Sequence, residues 1–97
     1  GIACSGCVFR NIEDKDALRL ATPNLTTSTG YIIDSLGLKG TKIGGAEISD
    51  KHANYILNTN NATAKDVIAL INLVKEKAKN TYGLDLKEEI FYVGKFD

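Results

Sequence analysis

The sequence has no methionine and no tryptophan, one proline, one histidine and two cysteines in 97 residues. Each scarcity excludes something. Two cysteines are too few for the framework of a disulfide-dense secreted domain, so a reducing, cytoplasmic setting is expected. The sequons Asn24-Leu25-Thr26 and Asn61-Ala62-Thr63 are then chance matches, because glycosylation requires secretion. Neither sign of charge is in excess: 12 Lys and Arg balance 12 Asp and Glu. A neutral chain lacks the basic field that nucleic acid or an acidic membrane surface rewards, so neither is expected as a partner. No apolar run approaches the roughly 20 residues that span a bilayer, and no charged-then-apolar signal segment opens the chain. Translation starts at Met, so a chain opening Gly1-Ile2-Ala3 is expected to have been processed or cut from something longer.

What is present describes one small domain. The composition is 43% hydrophobic and 25% charged, that of a globular unit with a thin core. The first eleven residues read as a strand broken by small residues. Glu13 to Asp16 is a solvated charge cluster, Ala17 to Leu20 could form one helical turn, and Pro23-Asn24 marks a break. Thr26 to Thr29 offers several N-caps for a helix over 28–37 with Tyr31, Ile32 and Leu36 on one side, closed by Gly37. Thr41-Lys42-Ile43 reads as a short strand between glycine turns, and Ala53 to Asn58 as another, ending in an Asn-rich turn. A second helix over 64–82 has the clearest signature. Thr63 and Asp66 have the spacing of a capping box, and Val67, Leu70, Ile71, Val74 and Ala78 recur at helical steps to form one apolar stripe. Leu84 to Val93 is strand-like. The order implies an α+β fold: a single small domain with a short mixed sheet packed by two main helices.

Few residues carry obvious chemistry. Cys4-Ser5-Gly6-Cys7 has the CxxC spacing of a redox dithiol or half a zinc site, but a closed zinc site needs four ligands and His52 would be only the third. A thioredoxin-type pair should open a helix, and Val8-Phe9 continues as strand; two buried, inert cysteines are the plain alternative. The glycines from Gly40 to Gly45 lack the Gly-Lys-Ser/Thr ending of a phosphate loop. The single imidazole, His52, is open to a structural or a functional reading. Of Glu88 and Glu89, strand alternation sends one inward, where apolar surroundings would raise its pKa and make it an acid near neutrality; two exposed charges on an edge strand is the alternative.

Taken together the segments resemble a known family. Gly6-Cys7-Val8-Phe9-Arg10-Asn11 is similar to a Gly-Ser-x-Phe-Lys-Asn segment. Gly30 to Asp34 through Gly37-Leu38-Lys39-Gly40 resembles a Gly-x-Leu-Ile-(Asp/Glu)…Gly-Leu-Lys-Gly helix. Ile43 to Asn54 is similar to Gly-Gly-Ala-x-Val-Ser-x-Lys-His-Ala-Asn, and Asn61 to Val67 and Leu86 to Ile90 match a last helix and a Leu-x-x-Glu-Val strand. In this order, from Gly6 to Gly94, they are the motifs of the UDP-N-acetylenolpyruvoylglucosamine reductases, and the resemblance is to their C-terminal, substrate-binding domain over 1–97.

The resemblance implies a flavoenzyme of peptidoglycan precursor synthesis that uses FAD, with NADPH as co-substrate, to reduce UDP-N-acetylglucosamine enolpyruvate to UDP-N-acetylmuramate. It places the family's Ser proton donor on Cys7 and its last-strand acid on Glu89, with Asn11 and His52 as substrate-binding positions. The FAD-binding region would be an N-terminal domain of the same protein, absent from this chain, so the chain alone is expected to be inactive and to hold no metal. A thiol, with a free pKa of about 8.5, is a far stronger acid than the hydroxyl it replaces. A stand-alone CxxC redox or metal-binding module is the competing reading. Two further departures are Ile12 in place of the usual Pro and a longer link over 13–29.

Overall fold

The computed structural model describes residues 8–88. Three helices, α1 (Asp14–Leu20), α2 (Thr29–Ser35) and α3 (Ala64–Tyr82), and three short strands, β1 (Lys42–Ile43), β2 (Ala46–Ile48) and β3 (Ile56–Asn58), confirm the α+β class. The sheet order is β1-β2-β3 and every pairing is antiparallel, with Ile43 opposite Ala46 and Ile48 opposite Ile56. The parallel pairing that a mixed sheet requires is therefore absent among the described residues. Gly44 and Gly45 make the two-residue turn between β1 and β2, and Gly44 takes the positive φ (56°) that such hairpins need.

α3 is the organising element. Thr63 Oγ1 accepts from the Asp66 amide and the Asp66 carboxylate accepts from the Thr63 amide, both at 3.1 Å, so the expected capping box is formed. Its buried residues are Val67, Leu70, Ile71, Val74 and Ala78, the stripe read from the sequence. The stripe lies on β1, β2 and α2. Burying each larger aliphatic side chain there contributes roughly 1.5–3 kcal/mol. Asp66 also accepts from the Gly45 amide at 3.1 Å, tying the helix start to the β1–β2 turn.

The Thr63 amide and then the Gly45 amide hold the Asp66 carboxyl below its ordinary value, against a smaller opposing effect of burial. The folded state therefore binds this proton less readily than the unfolded state. The stabilisation is complete above the unfolded value of about 3.9 and is lost as pH falls through the lower folded value. Asp66→Asn should remove this acid-side dependence. Urea midpoints of wild type and variant should converge below about pH 4, and a gap that stays constant with pH would exclude the linkage.

α2 begins where expected, with Ser28 Oγ accepting from the Tyr31 amide at 3.2 Å, and it is followed by Gly37 at φ 74°. Its inward face differs from expectation: Thr29, Ile32 and Ile33 are buried, and Tyr31 is 47% exposed. The stripe runs through positions i, i+3 and i+4 from Thr29, and a polar first member hides that period. Thr29 is 0% exposed because its hydroxyl donates to the Arg10 carbonyl (2.6 Å) and its amide to Asn11 Oδ1 (3.2 Å).

The long link holds more structure than one turn. α1 carries Asp14 and Asp16 in its first turn, where the helix dipole favours acids, and a 3-10 turn over Pro23–Leu25 returns the chain. The Ile12 amide donates to the Thr27 carbonyl at 3.0 Å and closes the neck of this excursion. Two strand expectations are corrected. Ala53 to Tyr55 is a loop, so β3 starts only at Ile56, and residues 84–87 belong to no strand. At the ends of the described chain the pairing reduces to one antiparallel bridge between Phe9 and Glu88, with the Arg10 amide donating to the Lys87 carbonyl at 2.8 Å. Residues 1–7 and 89–93, read as strand from the sequence, lie outside the described residues.

Candidate functional site

A cavity of about 440 Å³ opens where three segments meet: the stretch after Phe9, the first turns of α2 and the loop between β2 and β3. Asn11, Ser28, Tyr31, Lys51, His52 and Tyr55 are among its lining residues. Asn11 and His52, the two substrate-binding candidates, are thus brought to one wall system. Cys7 and Glu89, the two catalytic candidates, and Cys4 lie outside the described residues.

Asn11 is oriented by α2. The donor facing it is the Thr29 amide, so the atom it presents there must be Oδ1. Its Nδ2 makes no hydrogen bond among the described residues and remains available to a ligand. The loop over 49–55 is folded by Ser49, whose buried hydroxyl accepts from the Lys51 amide (3.2 Å) and the His52 amide (3.1 Å). The Tyr55 amide donates to the His52 carbonyl at 2.9 Å, and the two rings lie 5.4 Å apart with a 52° tilt. Both side chains are exposed toward the cavity mouth.

Lys39 reaches Asp34 at 3.5 Å on the cavity rim, whereas Lys51 makes no ion pair among the described residues. The cavity therefore presents a cation, an imidazole and a free carboxamide N–H₂, an array suited to phosphate oxygens. Glu88, one half of the acidic pair, is exposed and forms an ion pair with Lys75 at 2.9 Å. The exposed-charge reading is the correct one for Glu88. No group of three or more His, Cys, Asp or Glu able to hold a metal occurs among the described residues, and none of their helices is long and apolar enough to cross a membrane.

The family model of the UDP-N-acetylenolpyruvoylglucosamine reductase C-terminal domain matches residues 2–93. The chain belongs to that family. It is similar to the UDP-N-acetylenolpyruvoylglucosamine reductase of Syntrophomonas wolfei, with 54% identity over 65 residues, 67% of this chain and 22% of the relative. The enzyme of the same name from Acaryochloris marina is 42% identical over 91 residues, 94% of this chain and 26% of the relative. That of Protochlamydia amoebophila is 46% identical over 89 residues, 92% of this chain and 26% of the relative. The chain thus spans about a quarter of the length of the curated relatives it matches.

One residue of this reductase domain stands out that sequence reasoning assigned no role. Asn54 is 7% exposed, and its side chain is bonded entirely to Phe9: Oδ1 accepts from the Phe9 amide and Nδ2 donates to the Phe9 carbonyl, both at 2.9 Å. It lies in the Lys-His-Ala-Asn segment of the family motif, two residues after His52, but a carboxamide acting as a strand edge has no spacing signature to reveal it.

Proposed function

We propose that this chain is the substrate-binding domain of a full-length UDP-N-acetylenolpyruvoylglucosamine reductase, and that the cavity receives the diphosphate of UDP-N-acetylglucosamine enolpyruvate. The observation that carries the reading is the meeting of Asn11 and His52, which come from distant segments, on one cavity that also holds the unpaired Lys51. A diphosphate requires directed donors and positive charge, which Lys51, His52 and the free Asn11 Nδ2 supply.

The glycine turn between β1 and β2 offers no room for the phosphates of FAD. The Gly44–Gly45 turn is filled from within, since a Cβ on either glycine would collide with the Asp66 carboxylate or the Asn60 carbonyl. FAD, which with NADPH supplies the hydride chemistry, is assigned to an N-terminal region of the full-length protein, and the chain alone is inactive in this reading. The domain's own contribution is to bind the nucleotide sugar and deliver a proton. Reduction of the enolpyruvyl double bond adds a hydride to one carbon and a proton to the other. Cys7 is the proton donor to the carbon next to the substrate carboxylate. Glu89 stabilises, by hydrogen bonding, the charge that develops on that carboxylate. One observation supports the pairing of these roles: the Phe9–Glu88 bridge lies two residues after Cys7 and one residue before Glu89 along the chain.

The test is a separation of binding from turnover in the full-length enzyme. His52→Ala should raise KM for the UDP-sugar about tenfold, the worth of one hydrogen bond to a charged group, while kcat changes less. An unchanged KM would remove His52 from the substrate site.

A further inference from the structure

We propose that Asn54 is a positioning residue: its carboxamide acts as a one-residue strand that sets the backbone carrying the proton donor. The inference rests on the reading of Cys7 given above. Asn54 makes three bonds to two consecutive residues. Its backbone carbonyl accepts from the Val8 amide at 2.8 Å, and its side chain takes both the donor and the acceptor of Phe9 at 2.9 Å. An edge strand would present the same alternation of N–H and C=O, so the carboxamide replaces a rung of a ladder that the sheet itself does not extend to this place.

The bonded groups explain why this controls chemistry as well as stability. The Val8 amide is the nitrogen of the Cys7–Val8 peptide, a planar unit, so the bond from the Asn54 carbonyl acts directly on the peptide that follows the donor. The two side-chain bonds hold the next two units, the Val8–Phe9 peptide through its N–H and the Phe9–Arg10 peptide through its C=O. On its other edge the strand meets residues 87–88 through the Phe9–Glu88 bridge and the Arg10 amide, so the segment is clamped from two sides. Asn54 also lines the cavity, two residues beyond His52. One residue therefore ties the wall that binds substrate to the strand that delivers the proton. Only a carboxamide offers a donor and an acceptor at this spacing; Asp loses the donor and Ala loses both.

The experiment uses the full-length enzyme and the variants Asn54→Ala, Asn54→Asp and Cys7→Ala. Asn54→Ala should lower kcat by roughly ten- to a hundredfold, the cost of misplacing a reacting group by about an ångström. KM for UDP-N-acetylglucosamine enolpyruvate should move by less than about threefold, because the cavity donors are untouched. Asn54→Asp preserves shape and covers the case in which the alanine variant does not fold. Its ionised carboxylate faces the Phe9 carbonyl with no donor, and its kcat relative to wild type should recover as pH falls and protonation restores one. In a Cys7→Ala background Asn54→Ala should add no further loss to the residual rate. Full kcat in Asn54→Ala, an equal loss with and without Cys7, or an Asn54→Asp enzyme whose relative kcat ignores pH would each overturn the positioning role. An active Cys7→Ala enzyme would instead overturn the assignment of the donor, and with it the route through which Asn54 acts.

Discussion

In the full-length enzyme, Cys7→Ala should lose about 10²- to 10⁴-fold in kcat, the range that a positioned general acid contributes, and Cys7→Ser should keep most of it. The asymmetry follows from what each side chain can donate. In the proposed mechanism alanine removes the proton source for the carbon next to the substrate carboxylate. Serine restores a donor of the same length, and serine is the residue found at this position in the motif that the first segment resembles. A thiol gives up its proton more readily than a hydroxyl, so Cys7→Ser should also respond differently to pH. Thiol ionisation, near 8.5 for a free cysteine, would cause the wild-type rate to fall on the alkaline side, whereas the serine enzyme should hold its rate there. Steady-state rates from pH 6 to 9.5 check both statements. An alanine variant with wild-type kcat would remove Cys7 from the mechanism.

The second large effect is on stability. Gly45→Ala should cost about 3 kcal/mol, seen as a lower urea midpoint at unchanged slope. A Cβ at this position would strike the Asn60 carbonyl and the Ala62 amide, which are backbone and cannot swing aside. Gly45 cannot retreat either. Its amide is held by Asp66, and its carbonyl accepts from the Thr59 and Asn60 amides at 2.9 and 3.2 Å. Gly37→Ala is the control. It has φ 74° but open space around the position of a Cβ, so it should lose only about 1 kcal/mol, the cost of the left-handed conformation. Equal midpoints for the two variants would show that crowding at the β1–β2 turn is not what selects glycine.

How far the fold could be read depended on whether local pattern and long-range pairing agreed. α3 was legible because cap, stripe and terminal Gly83 all point the same way within one stretch of chain. β2 was not, because Ala46 and Glu47 have little strand preference and only pairing with both neighbours makes them a strand. The strand expected from Ala53 to Asn58 begins only at Ile56. Ala53 and Asn54 have little strand preference, the Tyr55 amide is taken by the His52 carbonyl, and the Asn54 carbonyl is taken by the Val8 amide. The inward face of α2 was misread at Tyr31 because Thr29 begins the stripe with a hydroxyl.

The site was legible in a different sense. The order of motifs singled out Asn11 and His52, but their meeting depends on Thr29 orienting one and Ser49 folding the loop of the other. Neither bond has a mark in the sequence. Ser49 and Thr29 are polar residues buried in the service of backbone groups, a role that residue type alone does not distinguish from surface hydrogen bonding.

The closed neck between Ile12 and Thr27 brings the two ends of the excursion through α1 together, and the Thr29 bonds to Arg10 and Asn11 hold its exit. Beyond the neck it touches the rest of the domain at two places: Leu20 packs against the core, and Asn24 Nδ2 donates to the hydroxyl of Tyr31 on the cavity at 2.8 Å. Doubling the length of such a loop costs only about 0.6 kcal/mol of closure entropy. Length changes in this segment are therefore cheap where they spare Leu20 and Asn24, and a change that removes Asn24 frees the Tyr31 hydroxyl on the cavity wall.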